Sequence, residues 1–395
     1  MRVLQPHINT ERFLRKRILF VSTQVGDPWG GCEELWSRTA QNLVKTGFDV
    51  SASVREWNPL HARVLSLIDT GIEVAVRPAR YPMWRRALRR AALRQEGSTT
   101  AEVRRLINSR PPLLAVLSTG AAFPPIELLE LCIEKKLPFV TIGTANQDAW
   151  WPEDSDARRY RSALPTALRC YFVSRANLLM AEKQIGCVLP NAEVIRVPFG
   201  VRFDALPDWP SSEAGEVRFA SLGRLHPPSK GQDILLEALA APVWADRRWR
   251  LNLYGEGRMR DSLERLVHSL GLGKRVFFAG YASVEQIWAL NHVLVMPSRY
   301  EGLPIVVVEA MLCGRPVVAT NVAGHSEVIE DGTGGFLADA PTVASMAKAL
   351  ERFWERRSEA QEMGKAAATR IRQLVPPDPV EVFSEKIRQL VKTPK

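Results

Sequence analysis

The sequence predicts an α/β fold of two Rossmann-like domains that face each other across a cleft. Three observations carry this reading. Short apolar runs alternate with helical stretches, and the series occurs twice. A proline-rich segment, PFGVRFDALPDWP (Pro198 to Pro210), separates the two series. The runs are continuously apolar, as strands of a parallel sheet covered on both faces must be. At roughly 150 residues per domain, a chain of 395 residues has room for two. The expected division is 1–205 and 206–375, followed by a last helix over 379–391.

In the first half, RILFVST (Arg17 to Thr23) reads as a buried strand that runs into a Gly-rich turn. A helix follows from about Cys32 to Thr46. FDVSASV, IEVAV, LLAVLS, PFVTIG, CYFVS and EVIRV continue the strand series from Phe48 to Val197. In the second half the strands are VRFASLG (Val217 to Gly223), WRLNLYG (Trp249 to Gly255), RVFFAG (Arg275 to Gly280), HVLVMPS (His292 to Ser298) and PVVAT (Pro316 to Thr320). Thr342 to Leu374 reads as helix, and a further helix starts near Pro379 after Pro376-Pro377. In open α/β sheets of this kind ligands sit at the carboxyl ends of the strands.

Composition narrows the function classes. With 46% hydrophobic, 24% charged and 8% aromatic residues the chain is an ordinary globular one, not disordered, collagenous or coiled-coil. No run approaches the ~18–20 apolar residues of a membrane span. The opening MRVLQPHINTERFLRKR has no apolar core for a signal peptide, so the expected location is the cytoplasm. Five widely spaced cysteines without a CxxC pair argue for reduced thiols rather than disulfides or zinc. The net charge of +10 is concentrated: Arg77 to Arg110 holds ten Arg against Glu96 and Glu102. That pattern predicts one local basic patch, and nothing interleaves basic and aromatic residues as a nucleic-acid surface would.

Chemistry concentrates in three motifs. In SRYEGLPIVVVEAM (Ser298 to Met311), Glu301 stands in a loop after a strand and Pro304 suits a first helical position. Glu309 then lies about 7.5 Å further along the helix. The amides of Gly302 and of the residues after Pro304 can face an anion. The plain alternative is that both glutamates are helix-dipole acids, each worth ~0.3–1 kcal/mol. In SLGRLHPPSKGQDILLEAL (Ser221 to Leu239), Arg224 and Lys230 flank a strand-to-helix turn, where a guanidinium fork and an ammonium suit a phosphate. The third motif is GDPWGGCEELW (Gly26 to Trp36). It is no GxGxxG fingerprint, but Gly30 and Gly31 let the backbone approach a ligand. LYGEGRM (Leu253 to Met259) carries only a weak GxG.

Together GRLHPPSKG, LYGEGRM, FFAGYAS, MPSRYEGLPIVVVEAM and VAGHSEVIEDGTGGFL resemble, in order, the GT-B-fold glycosyltransferases of family 4, the glycogen-synthase-like superfamily, whose members retain anomeric configuration. The resemblance spans about Arg17 to Leu350 and is strongest after Val217. It implies a sugar donor activated as a nucleotide diphosphate, a glycan or lipid-linked acceptor, and no cofactor or metal; no DxD motif stands in a suitable place. It implies that residues 1–205 bind the acceptor and 206–375 the donor, with the last helix crossing back onto the first domain. Catalysis falls to Glu301, Arg224 and Lys230. Arg224 and Lys230 bind the donor pyrophosphate, Glu309 the ribose, and Glu301 with the backbone of Gly302 and Leu303 the transferred sugar. Tyr281 and Ala282 lie near the base, and Gly31 with Gly30 approaches the phosphates from the other domain.

One departure stands out. Many family members have a His after the fifth strand of the first domain, but Gly143 to Trp150 contains none. Thr144, Asn146 or Asp148 is expected in that space. Trp150 and Trp151 suit a sugar face, although core packing is the favoured reading. An epimerase, a phosphorylase or an inactive nucleotide-sugar binder on the same fold are the open alternatives. Finally, MWRRALRRAALR (Met83 to Arg94) reads as a basic amphipathic helix with a small, Ala-rich apolar face. It points to an anionic surface at the inner face of a membrane.

Overall fold

The computed structural model describes residues 2–4, 16–24, 26, 28–78, 98–197, 199–200, 207–211 and 215–392. The chain divides into two compact units: Met1–Pro198 together with Asp378–Lys395, and Phe199–Pro377.

The first unit is built on a sheet of eight strands: β1 (Arg2–Leu4), β2 (Arg17–Ser22), β3 (Asp49–Arg55), β4 (Glu73–Arg77), β5 (Leu114–Thr119), β6 (Phe139–Gly143), β7 (Arg169–Phe172) and β8 (Ala192–Val194). Their order is β1-β4-β3-β2-β5-β6-β7-β8, parallel throughout except for β1, which runs antiparallel on β4. All six residues of β2 are buried, and the four in its middle, Ile18 to Val21, are the apolar run that the sequence shows. Helices α1 (Gly31–Lys45), α2 (Ala62–Asp69), α3 (Ser98–Ser109), α4 (Ile126–Glu134), α5 (Asp154–Ala163) and α6 (Arg175–Ile185) connect the strands. Helix α1 buries Leu35, Trp36, Thr39, Ala40 and Leu43, spaced to lie on one face.

The second unit is a fully parallel sheet of β9 (Val217–Leu222), β10 (Trp249–Tyr254), β11 (Val276–Gly280), β12 (Val293–Met296), β13 (Val317–Thr320) and β14 (Gly335–Ala338). The order is β11-β10-β9-β12-β13-β14. Successive strand residues feed opposite cores. Val217 and Phe219 join Trp244, Trp249, Phe336 and Phe353 on one face. Ala220 and Leu222 join Trp288, Met296 and Met311 on the other. The edge-to-face contacts of Phe219 with Trp244, Trp249 and Phe353 add about 0.5–1.5 kcal/mol per pair beyond area burial. The helices are α7 (Pro227–Lys230), α8 (Gln232–Leu239), α9 (Arg260–Ser269), α10 (Val284–Leu290), α11 (Ile305–Leu312), α12 (His325–Val328), α13 (Val343–Glu355) and α14 (Ala360–Leu374).

The last helix, α15 (Pro379–Lys392), belongs to the first unit. Phe383 meets Tyr171 edge-on at 5.1 Å, Lys386 pairs with Glu193 at 2.5 Å, and Glu381 accepts from Asn42 at 2.9 Å.

Several sequence expectations need correction. Strands β1 and β14 were not expected; β1 is three residues long, and β14 begins at a glycine. The helix expected over Thr342 to Leu374 is two helices, α13 and α14, joined by a 3₁₀ turn over Arg357–Glu359. Pro304 is the residue before α11, with ψ 128°, and not its first helical residue. The basic stretch is not one patch throughout. Arg77 is buried and donates to Ser53 at 2.7 Å, Arg110 pairs with Asp49 at 2.8 Å, and Arg104 pairs with Glu134 at 2.6 Å. The helix read over Met83 to Arg94 lies outside the described residues.

Helix α14 can pack where it does only because residue 364 is glycine. A Cβ built there lies 1.9 Å from the Gly314 carbonyl oxygen, closer than any real carbon comes to a main-chain oxygen. Gly364→Ala therefore has to push α14 off the loop after α11. Urea denaturation is expected to show a loss of about 2–4 kcal/mol. An unchanged midpoint would mean that this helix is not held at its observed distance.

Candidate functional site

The second unit reverses strand order between β9 and β12, so the loops leaving their carboxyl ends diverge and open a crevice. Two of the sequence-predicted residues meet there. Lys230 Nζ is 2.5 Å from Glu301 Oε1, with side chains 22% and 10% exposed. The Ser298 hydroxyl donates to the same oxygen at 2.8 Å. Lys230 ends the short helix α7, and Gly231 follows in the left-handed region at φ 63°. A Cβ at Gly231 lies 1.9 Å from the Pro297 carbonyl oxygen, so the lysine is planted against the loop that carries Glu301. Arg299 adds to the junction: its amide donates to Ser229 O at 2.8 Å, and its guanidinium grips Asp233 through two bonds of 2.7 Å.

Arg224 is exposed at the carboxyl end of β9, and its carbonyl accepts from Gln232 Nε2 at 2.7 Å. The turn behind it is backed by the GEG segment. Cβ atoms on Gly255 and Gly257 would lie 2.3 Å from Gly223 O and 2.4 Å from Leu225 O. Gly302 and Leu303 are buried; among the described residues no acceptor takes their amide hydrogens, while Gly302 O accepts from Gly324 at 3.0 Å. Glu309 is buried in α11, and its Oε1 accepts from the Gly200 amide at 2.7 Å. Tyr281 and Ala282 follow β11, with Tyr281 84% exposed.

A histidine completes this edge. His325 is fully buried, and its Nδ1 lies 2.6 Å from the Thr320 carbonyl. A carbonyl only accepts, so Nδ1 carries the hydrogen and Nε2 a lone pair. Burial holds its pKa below the ordinary value; the nearby Glu301 charge opposes that shift, and Lys230 adds to it. Thr320 Oγ1 donates to Ser298 O at 2.6 Å. Hydrogen bonds thus run from His325 through Thr320 and Ser298 to Glu301.

In the first unit the order reverses between β2 and β5. Gly30 caps α1, and Gly31 is its first residue. Two residues on, Glu33 is buried in a network. It accepts from Ser22 Oγ and from Trp36 Nε1, both at 2.9 Å. Arg77 sits nearby but donates to the Ser22 carbonyl and to Ser53. Desolvation pushes the Glu33 carboxyl up from 4.5 to about 7; the hydrogen bonds and Arg77 only partly oppose it.

With this geometry in hand the relatives can be placed. Residues 216–356 match the family Glycosyl transferases group 1. The chain carries a group 1 glycosyltransferase domain on a GT-B fold. Alpha-D-kanosaminyltransferase of Streptomyces kanamyceticus is 37% identical over 142 residues, 35% of this chain and 37% of that protein. Poly(ribitol-phosphate) alpha-N-acetylglucosaminyltransferase of Staphylococcus aureus is 32% identical over 146 residues, 36% and 30% of the two chains. The match thus spans about a third of the length of these curated relatives. Among solved structures, Anabaena HepE in complex with UDP is 22% identical, with a TM-score of 0.71 over 95% of this chain and 99% of that one.

Within the glycosyltransferase domain, Lys230 and Glu301 touch. Glu309 is instead bonded to the chain entering the unit. Outside it, at the end of β6, a Cβ on Gly143 would lie 2.6 Å from Ala122 O, so main chain fills the place of a side chain. Thr144 Oγ1 donates to Thr119 O at 2.8 Å. Asn146 is buried, with its amide engaged by Gln184 and by the Gln147 amide at 2.9 and 2.8 Å, and it shapes the loop. Asp148 is exposed. Trp150 and Trp151 are 36% and 55% exposed, which overturns the expected core packing. Sequence reasoning missed Glu33 and His325. A carboxylate three residues into a Gly-Gly helix start was the only available signal for the first, and nothing distinguished the second from a surface histidine.

Glu33 yields a pH test. Its folded-state pKa lies above its unfolded one, so its stabilising contribution is full below about 4.5 and is lost as pH rises through about 7. Glu33→Gln keeps the shape without titrating. Relative to wild type the variant is expected to gain about 1–3 kcal/mol between pH 5 and pH 8 in urea denaturation. A pH-independent difference would show that Glu33 ionises normally in the fold.

Proposed function

We propose that the chain is a retaining glycosyltransferase that moves a sugar from a nucleotide-diphosphate sugar to a hydroxyl of a glycan or lipid-linked acceptor, in the synthesis of cell-surface polysaccharide or glycolipid. The observation that supports this best is the Lys230–Glu301 junction beside Arg224 at the β9/β12 reversal. It sets cations for a diphosphate next to a carboxylate that accepts hydrogen bonds from sugar hydroxyls. HepE, solved with UDP-glucose, is similar in fold.

In this reading residues 206–375 hold the donor and residues 1–205 the acceptor. The bond from the anomeric carbon to the phosphate oxygen breaks, and the acceptor oxygen bonds to that carbon on the same face. The acceptor's proton passes to the departing phosphate oxygen. Arg224 and Lys230 meet the charge that builds on the diphosphate. Glu301, with the amides of Gly302 and Leu303, orients the sugar. Glu309 holds the ribose, Tyr281 and Ala282 border the base, and Gly30 and Gly31 approach the phosphates. Neutralisation is assigned to these side chains and not to a metal.

Incubation with UDP-, GDP- and ADP-sugars and an assay of diphosphate release tests the reading. Arg224→Ala and Lys230→Ala are each expected to lower turnover by about tenfold or more, which corresponds to ~1.4 kcal/mol. Full turnover in either variant at saturating acceptor would sink the phosphate assignment.

The basic segment Met83 to Arg94 extends the proposal to an anionic membrane face. Among the described residues no helix is long and apolar enough to cross a membrane. Salt-sensitive co-sedimentation with anionic vesicles is expected, and Arg85, Arg86, Arg89 and Arg90 changed to Ser should abolish it. Failure of the wild type to co-sediment at low salt would remove the membrane from the proposal.

A further inference from the structure

The Lys230–Glu301 contact has a consequence for the order of affinities at the donor site. The ammonium proposed for the diphosphate already lies 2.5 Å from the carboxylate proposed for the sugar. An anion arriving at Lys230 has to compete with Glu301 or share the ammonium with it. If it displaces Glu301, that carboxylate, only 10% exposed, is left facing a second anion. It keeps the Ser298 hydroxyl at 2.8 Å but loses the Lys230 ammonium. Removing a cation from a largely buried carboxylate is unfavourable unless another donor replaces it.

The lysine backbone cannot shift to avoid the conflict, because Gly231 is pressed against the Pro297 carbonyl. The side chain can. Its Cγ, Cδ and Cε lie beside Gly223, 3.5–3.7 Å from where a Cβ would stand, and only the ammonium end is committed.

We infer that Lys230 and Glu301 form an exchangeable pair: a donor's diphosphate takes the ammonium while a hydroxyl of its sugar takes the carboxylate. This rests on the donor site proposed above. An intact nucleotide sugar replaces both halves of the broken pair. A bare nucleoside diphosphate replaces only one, so the spent donor is held more weakly than the loaded one. Product release is thereby built into the same contact that binds substrate.

Calorimetry with UDP, GDP and ADP, and with the glucose conjugate of whichever binds, tests the exchange. Glu301→Gln removes the competing charge at constant shape. It is expected to bind the bare diphosphate roughly three- to tenfold more tightly than wild type, the size of one partly exposed ion pair. The glucose conjugate should bind no more tightly than before. In Glu301→Gln combined with Lys230→Met, the gain should vanish relative to Lys230→Met alone. Wild type itself should prefer the conjugate to the bare diphosphate, a readout that needs no variant to fold. Equal or weaker binding of the diphosphate by Glu301→Gln, or a wild-type preference for the bare diphosphate, overturns the exchange while leaving the donor site in place. Wild type that binds none of the three diphosphates overturns the donor reading and the exchange with it.

Discussion

One close approach of main chain to main chain organises the edge of the second sheet. Gly231 presses on the Pro297 carbonyl so tightly that any Cβ would overlap it, and at φ 63° few residues other than glycine are comfortable. Gly231 follows α7 and Pro297 follows β12, so this single contact joins the two loops that diverge from the β9/β12 reversal. Lys230 stands one residue before the contact, and Glu301 four residues after it. The backbone contact thus brings the two side chains within reach of each other. Arg299 repeats the join through Ser229, Pro227 and Asp233.

The same loops show how a parallel sheet builds a polar edge without loosening its core. Below the junction, Phe219, Leu251 and Val295 alternate with Ala220, Leu222 and Met296 between two apolar layers. Just above it lie Ser298, Thr320 and His325, linked by bonds of 2.6–2.8 Å to the carboxylate that meets the lysine. A network that satisfies nearly all its own groups adds rigidity that hydroxyls aimed at solvent would not. Neutral His325 suits that position, since a second cation beside Lys230 would compete for Glu301.

Much of this was legible in the sequence because the signals were local. Apolar runs such as RILFVST and HVLVMPS stand out against their helices, and Lys230 and Glu301, singled out by their motifs, meet at one sheet edge. What escaped notice depended on partners far along the chain. The three residues of β1 gain meaning only by pairing with β4. Arg77 and Arg110 count as surface charge until Ser53 and Asp49 are brought beside them. The glycines of LYGEGRM match no nucleotide fingerprint, because their task is to let one turn lie against the turn that presents Arg224. Trp150 and Trp151 failed in the opposite sense: their size argued for burial, but the loop anchored by Asn146 and Gln184 turns them outward.

The two sheet edges also treat a buried carboxylate in opposite ways, and the difference follows from where the nearest cation is directed. At Glu301 the ammonium is aimed at the carboxylate, so the charge is compensated and can be released when a better anion arrives. At Glu33 the nearby guanidinium of Arg77 is committed to Ser53 and to the Ser22 carbonyl, and the carboxyl receives only neutral donors. These neutral donors offset only part of the loss of hydration, so the proton is retained to about pH 7. With Glu33 protonated, Glu34 is the other acidic residue in the first turn of that 15-residue helix. An ionised Glu33 would add a second negative charge to the same turn. The sheet edge with mobile charge keeps it paired, and the edge with fixed dipoles keeps its carboxyl neutral.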